Sequence, residues 1–229
     1  MYQVIGLTGT LKWFGISCVL VFILLHLGNI TEFLDLGMAP TALFDGASKM
    51  FKEACKAAAI VGVITYLLGQ TCIFPWICKI PGIRNWFPPI DGEWQVTSHS
   101  NWSRLANGGG DKDADLHITY GKVKIISRFF SVHMTFVSDD AYSESRTVHI
   151  SVQRSPHLGT TQLNYIYENF TLIPKATDTN LHNGAARLYI TDNQGELTMV
   201  GTYFTDRKWT EGLNTAGKVT FTRLPKHKG

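Results

Sequence analysis

The chain has 229 residues, a formal charge of +3, 45% hydrophobic residues and four cysteines. So small a charge excludes a protein that wraps nucleic acid and leaves room only for a local cluster of cations. Cys18, Cys55, Cys72 and Cys78 all lie in or beside the apolar runs of roughly the first 90 residues, so the remainder has no disulfide framework. They read as small hydrophobes, and no His/Cys spacing suggests zinc.

Two long apolar runs open the chain. The first runs from Trp13 to Ile30, centred on Val19 to Leu25, about the length a helix needs to cross a bilayer. It continues into Gly28-Asn29-Ile30-Thr31-Glu32, a poor signal-peptide cleavage site, so an uncleaved span is expected. His26 inside it reads as a helix-contact or interfacial residue. The second run, Ala57 to Ile77, carries no formal charge. Gly62, Gly69, Ala58 and Ala59 offer small faces for close helix approach, Trp76 is an interfacial anchor, and Pro75 is placed to kink or end the helix. Between the runs, Glu32 to Lys56 alternates apolar and charged residues. It reads either as a surface helix interrupted by Pro40 or as an extension of either span.

Lys12 precedes the first run, and Lys79 and Arg84 follow the second. The positive-inside rule then puts both termini in the cytoplasm. Residues 1–79 are expected to form a two-span membrane region, 80–90 a short stiff linker with Pro81-Gly82 and Trp86-Phe87-Pro88-Pro89, and 91–229 a cytoplasmic domain.

From Asp91 onward the chain predicts an all-β domain and no helix. Eight strands are expected at about 93–100, 116–127, 129–137, 145–154, 161–170, 185–192, 196–206 and 217–224. Turn residues separate them, among them Asn107 to Asp111, Ser138-Asp139-Asp140, Ser155 to Gly159, Asn183-Gly184, Asp192 to Gly195 and Glu211 to Asn214. Eight strands joined by tight connections make an antiparallel up-and-down β-barrel with a core or one ligand site inside.

Alternation assigns the inward side chains. They are Trp94, Val96 and Ser98 on the first strand; Phe130, Val132, Met134 and Phe136 on the third; and Arg146, Val148, Ile150 and Val152 on the fourth. Leu163, Tyr165 and Tyr167 follow on the fifth, Ala186, Leu188 and Ile190 on the sixth, and Val219, Phe221 and Arg223 on the eighth. The seventh strand sends in Leu197, Met199, Gly201, Tyr203, Thr205 and Arg207, leaving Val200 and Phe204 outside. Because the linker delivers the first strand at the membrane end, the far mouth is expected to gather Ser98, Ser100, Arg146, Tyr167, Thr205 and Arg207. Inward arginines at a barrel mouth call for an anion or solvent, and such mouths are usual ligand sites.

Catalytic signatures are missing. There is no G-x-S-x-G, Walker sequence or H-E-x-x-H. The histidines of the β half are scattered; His133 and His149 read as an outward cross-strand surface pair. Asp111, Asp113 and Asp115 beside three glycines lack the spacing of a calcium loop and read as a flexible acidic loop. Neither an enzyme nor a metal site is expected.

The order of motifs is more specific than any one of them. Two apolar runs precede Gly92-Glu93-Trp94, Leu163-x-Tyr165-x-Tyr167-x-Asn169, Gly184-x-Ala186-x-Leu188, and Leu197-x-x-x-Gly201-x-Tyr203-Phe204-Thr205-x-Arg207. Nearly the whole chain thus resembles the SMODS-associating two-TM β-strand-rich effectors. The resemblance implies an effector of cyclic-oligonucleotide-based antiphage signalling (CBASS) in the bacterial inner membrane. In that family a companion cyclase makes a cyclic nucleotide, the barrel binds it, and the protein forms a homo-oligomer. The transmembrane part then disrupts inner-membrane lipids and ends the infected cell. By motif match, Tyr165, Tyr167, Tyr203, Thr205 and Arg207 become candidate ligand residues; Arg146 is added from topology alone. A cyclic dinucleotide is the expected activating ligand, with no other cofactor. Its phosphates suit arginine forks and its bases suit stacking on tyrosine and tryptophan. Two other readings stay open: a membrane-tethered lipocalin-like barrel for a lipid or other apolar ligand, and an interaction domain whose interior is filled.

Overall fold

The computed structural model describes residues 1–27, 40–106, 115–155, 160–193 and 195–224. The turn at 107–111, most of the turn at 155–159, Asp111 and Asp113 of the acidic triplet, and the segment 32–39 lie outside these residues.

The chain starts with a 3-10 turn, Tyr2–Val4, and runs directly into helix α1, Gly6–Leu25. None of α1 is buried, and Leu11, Trp13, Val19 and Leu24 each stand more than half exposed. A 20-residue helix that is apolar all round spans about 30 Å, which suits lipid rather than a protein core. Among the described helices it is the one long and apolar enough to cross a membrane.

Helix α2, Pro40–Gln70, packs back along α1. His26 at the end of α1 meets Glu53 of α2 at 3.6 Å. The second apolar run, expected as one span to Ile77, departs from that expectation at Gln70. There the Thr71 hydroxyl donates to the Leu67 carbonyl (2.5 Å) and accepts from the Ile73 amide (3.3 Å). A side chain that competes for backbone groups in this way weakens and bends a helix, and here the helix stops one residue earlier. The rest of the run forms the short helix α3, Ile73–Ile77, which buries Phe74 and is followed by buried Cys78. These two residues belong to the barrel floor.

Eight antiparallel strands then close into a barrel, each paired with its neighbours in sequence and β8 with β1. They are β1 Gly92–Ser100, β2 His117–Ser127, β3 Val132–Ser138, β4 Glu144–Arg154, β5 Thr161–Phe170, β6 Leu181–Asn193, β7 Glu196–Thr205 and β8 Ala216–Arg223. The sequence pattern locates all eight; the sixth starts four residues before the expected 185. Where the sequence suggested no helix, a short one, α4 (Trp102–Ala106), follows β1, and a 3-10 turn, Trp209–Glu211, interrupts the β7–β8 connection.

The inward assignments hold for β1, β5, β6, β7 and β8. They fail on β4. A register shift between Thr147 and His149 inserts a bulge, and a one-residue offset exchanges the two faces of everything beyond it. Ile150 and Val152 point in, but Val148 is 62% exposed and Arg146 turns outward, while Ser145 and Thr147 line the interior. Phe130 also leaves the expected inner set. It precedes β3, is 44% exposed and packs edge-on against Phe129.

Below the bulge, β3 and β4 part. Their pairing covers only Thr135–Val137 with Glu144–Arg146. The Thr147 hydroxyl bridges Met134 next to it, and the N-terminal residues cover the gap beyond. Gln3 Oε1 accepts from the Val152 amide (2.9 Å), and the Tyr2 amide donates to the Phe129 carbonyl (2.7 Å). His133 and His149 both line this crevice and pair with Ile126 and Ile166, not with each other.

The lower half of the barrel is dry and full. Trp94, Val123, Ile125, Val152, Leu163, Leu188 and Met199 have no more than 1% of their surface exposed. Met1, Phe74, Cys78 and Ile90 close this core from the side of the helices, with Phe87 and Phe129 packed edge-on around Phe74. Burial pushes the Cys78 thiol up to about 12, so it packs as a neutral apolar group. The Trp94 indole N–H donates to the Ile90 carbonyl (2.9 Å), and Arg223 stacks on its ring at 4.7 Å while donating to the Pro89 and Asp91 carbonyls. The linker is therefore bound to the barrel. Arg84 pairs with Asp192, and Arg154 stacks on Trp86 at 4.4 Å.

Close strand approach depends on Gly201, where an added methyl would overlap the Arg187 carbonyl oxygen across the β6–β7 pair. Gly201→Ala must push backbone aside, so it is expected to cost about 1–3 kcal/mol, the usual range for overpacking. Thermal unfolding of the full-length protein in detergent checks this, with Gly15→Ala, which meets nothing within 4 Å, as the control.

Candidate functional site

The upper half of the barrel holds a cavity of about 330 Å³, in whose lining hydroxyl and charged groups interleave with Met134, Phe136, Val219 and Phe221. Its position follows from strand direction. β1, β5 and β7 end at this mouth, while β4, β6 and β8 begin there. Inward positions near strand ends therefore converge: Ser98 and Ser100 from β1, Tyr165 and Tyr167 from β5, Tyr203 and Thr205 from β7, then Arg207 just beyond.

The tyrosines form one wall. Tyr165 and Tyr167 lie with ring centroids 5.8 Å apart. Tyr167 lies over Gly184, and a methyl group there would occupy its ring; this is what the glycine of the Gly-x-Ala-x-Leu motif provides. Burial raises the pKa of both phenols, with neighbouring tyrosines adding to the shift. Both remain protonated donors at any physiological pH. Thr205 and Thr215 share a hydroxyl hydrogen bond of 2.9 Å at the foot of the β7–β8 connection.

Arg207 is the cation of the site. Its side chain is 14% exposed and its guanidinium lies 4.3 Å over the Trp102 ring, a cation–π contact worth about 0.5–2 kcal/mol. Its polar contacts are thin for so buried a group. Nε donates to the Leu213 carbonyl at 3.4 Å, one terminal nitrogen is 3.9 Å from Asp178 Oδ2, and the other has no hydrogen-bond partner. A guanidinium carries five N–H donors, so this one has unused donor capacity beside the cavity that Arg207 lines.

Five groups around it were not read from the sequence. Trp102 is placed by α4, Asp178 and Lys175 by the β5–β6 connection, Tyr142 by the β3–β4 turn, and His182 by the early start of β6. Tyr142 Oη donates to Asp178 Oδ2 (3.1 Å) and accepts from the Lys175 amide (3.0 Å). A tryptophan just past a strand end gave a weak signal; Asp178, inside Thr171 to Asn180, gave none.

All six residues expected at the site line this cavity: Tyr165, Tyr167, Tyr203, Thr205 and Arg207 inside it, and Arg146 at its rim. The Arg146 side chain is 74% exposed and pairs with Glu144 at 3.4 Å. The bulge in β4 turns it from the interior.

His182 lies within the field of Asp178, Arg207 and Asp206, and burial, its main influence, holds its pKa below the ordinary value. A histidine whose folded pKa is depressed binds fewer protons folded than unfolded. Its stabilising effect is therefore present above the unfolded pKa of about 6.5 and is lost as pH falls below it. Replacement by glutamine removes that loss. The melting temperature of wild type should fall more than that of His182→Gln between pH 7 and pH 5; parallel curves would contradict a buried neutral histidine.

Comparison with known proteins bears on this region. The family described as "Cap15, cyclic dinucleotide receptor domain" matches residues 85–223, the whole barrel. A protein called CD-NTase-associated protein 15, from Escherichia albertii, is 29% identical over 136 residues. That match covers 59% of this chain and 62% of the relative, so the chain spans somewhat less than two thirds of it.

Proposed function

The chain belongs to the family of the Cap15 cyclic dinucleotide receptor domain, and from that premise we propose that the barrel mouth binds a cyclic dinucleotide as its activating ligand. The observation that carries this is Arg207, stacked on Trp102 with a terminal nitrogen free of hydrogen bonds, at the edge of a cavity walled by tyrosines. A cyclic dinucleotide has two phosphates and two base faces. Arg207 and Lys175, both lining the cavity, supply a cation for each phosphate. Tyr165, Tyr167, Tyr203 and Tyr142 supply aromatic surface, and base stacking is worth about 1–3 kcal/mol per base. Thr205 adds a hydroxyl. Arg146 belongs, on this reading, to the outer rim. The resident chemistry is binding, with no covalent step.

We further propose a CBASS effector of the SMODS-associating two-TM type. Its ligand comes from a companion cyclase, and binding drives homo-oligomerisation in the bacterial inner membrane. The division into 1–79, 80–90 and 91–229 describes the roles: membrane part, connector and cytoplasmic receptor. α1 crosses the bilayer, the apolar C-terminal half of α2 returns, and both termini and the barrel stay in the cytoplasm. Ligand shifts the population only if the oligomer holds it more tightly than the resting form.

Charge-assisted hydrogen bonds contribute about 1.5–3 kcal/mol each, or roughly ten- to a hundredfold in affinity. Arg207→Ala in the full-length protein is expected to weaken cyclic dinucleotide binding by that factor. Arg146→Ala is expected to leave it unchanged, and isothermal titration against a panel of cyclic dinucleotides and fatty acids measures both. Stabilisation by fatty acids alone would return the lipid-carrier reading to first place.

The membrane role has its own measurement. Liposomes carrying the full-length protein should release an entrapped dye when the activating cyclic dinucleotide is added, and Arg207→Ala should suppress release at the same ligand concentration. Binding without leakage would remove membrane disruption from the mechanism.

A further inference from the structure

The β5–β6 connection, Thr171 to Asn180, lies across the mouth and is tied down on both sides. Tyr142 bonds both the Asp178 carboxylate and the Lys175 amide. From the β7–β8 side, Lys208 Nζ donates to the Ala176 carbonyl at 2.7 Å. Asp178 itself is turned inward, with a side chain only 8% exposed, and its Oδ1 accepts from the Thr179 amide.

The carboxylate lies where an anionic ligand would be needed. It is the acidic group paired with Arg207, yet the pairing is loose: 3.9 Å, too long for a hydrogen bond. Its one side-chain hydrogen bond comes instead from Tyr142. A phosphodiester carries the same single negative charge and offers oxygens to a guanidinium fork in good geometry. Exchanging one anion for the other leaves the net charge of the buried cluster unchanged, so the exchange carries no penalty for an uncompensated charge. The carboxylate, once displaced, must reach water or another donor. It is fixed to a loop held by the same ties, so the loop moves with it.

We propose that Asp178 is a built-in stand-in for the ligand phosphate at Arg207, and that binding displaces it and releases the Thr171 to Asn180 loop from the mouth. This rests on the receptor reading above and adds a specificity and switching role to a residue outside the motif set. It leaves the apo site balanced in charge but not in hydrogen bonds and sets a threshold on the ligand: an uncharged or weakly anionic molecule cannot take Arg207 from Asp178. It also places the ligand-driven change at the cytoplasmic face, on a loop bearing exposed Leu172 and Ile173.

Asp178→Asn tests the proposal, because the amide keeps the shape and a hydrogen bond to Tyr142 while removing the competing charge. In the full-length protein its affinity for the activating cyclic dinucleotide is expected to rise about tenfold. The gain should disappear in the Arg207→Ala background. Unchanged or weaker binding overturns the proposal, the latter because it would make Asp178 a direct ligand contact. In wild type, hydrogen exchange across residues 171–180 should speed up on ligand addition, against the usual protection by a ligand; slower exchange also overturns it. If no cyclic dinucleotide binds either protein, the receptor reading fails by itself. The Asp178 role is then decided with millimolar inorganic phosphate, which must raise the melting temperature of Asp178→Asn more than that of wild type. Equal shifts refute it.

Discussion

An eight-stranded barrel is too narrow to be hollow along its whole length, and Trp94 decides which end is filled. Its ring has no exposed surface, its indole N–H is held by Ile90, and its outer face carries Arg223. Around it the inward positions are aliphatic, so water has no partners there and the lower half collapses into a core. Above Val96 and Val123 serine, threonine, tyrosine and histidine enter the inward positions beside Phe136 and Val219. Such a lining does not pack dry, because each hydroxyl would need its own partner. The cavity at the far mouth is the space left by that change in composition.

The filled end also joins the barrel to the helical part. Met1 and Phe74 bury in the same cluster as Trp94, although they lie on opposite sides of α1 and α2 in sequence. The Phe129 amide donates to the Gly69 carbonyl, and the Phe129 carbonyl accepts from Tyr2. Both ends of the helical hairpin thus meet at one residue in the β2–β3 turn. The gap between β3 and β4 is covered by the same N-terminal residues. The seam thus ties the barrel to the root of α1 by direct contacts and not by the linker alone.

Much of this was legible in the sequence, and the exceptions have physical causes. Alternation located eight strands because a half-buried strand must separate its two faces residue by residue. It also brought Tyr165, Tyr167, Tyr203, Thr205 and Arg207 to one mouth, since strand direction alone fixes which ends coincide. The assignment of Arg146 failed at a bulge in Thr147-Val148-His149, which contains no glycine to announce it. Asp178 and Tyr142 were unreadable for another reason. Their positions are set by loop contacts across the mouth, and no local pattern encodes those. The second apolar run divides at Thr71, whose hydroxyl takes the Leu67 carbonyl, and its last part turns Phe74 into the barrel floor, which a continuous apolar run does not announce.

The competing lipid reading can be weighed on the same physics. A fatty acid shares an anionic head with a phosphodiester, so Arg207 alone does not discriminate. The tail does. An acyl chain needs a continuous apolar tunnel, and the lower barrel is already packed by Trp94, Leu163, Leu188 and Met199. In the open part a chain would meet Phe136 and Val219 but also Ser98, Ser138, Ser145, Thr147, Asn169 and Thr205, and would strip water from their polar groups without replacing its hydrogen bonds. A nucleotide offers ring edges and ribose hydroxyls to the same groups and flat faces to the tyrosines. The interior thus favours a ligand that is anionic, aromatic and polar at its edges, because any other kind leaves part of the lining unsatisfied.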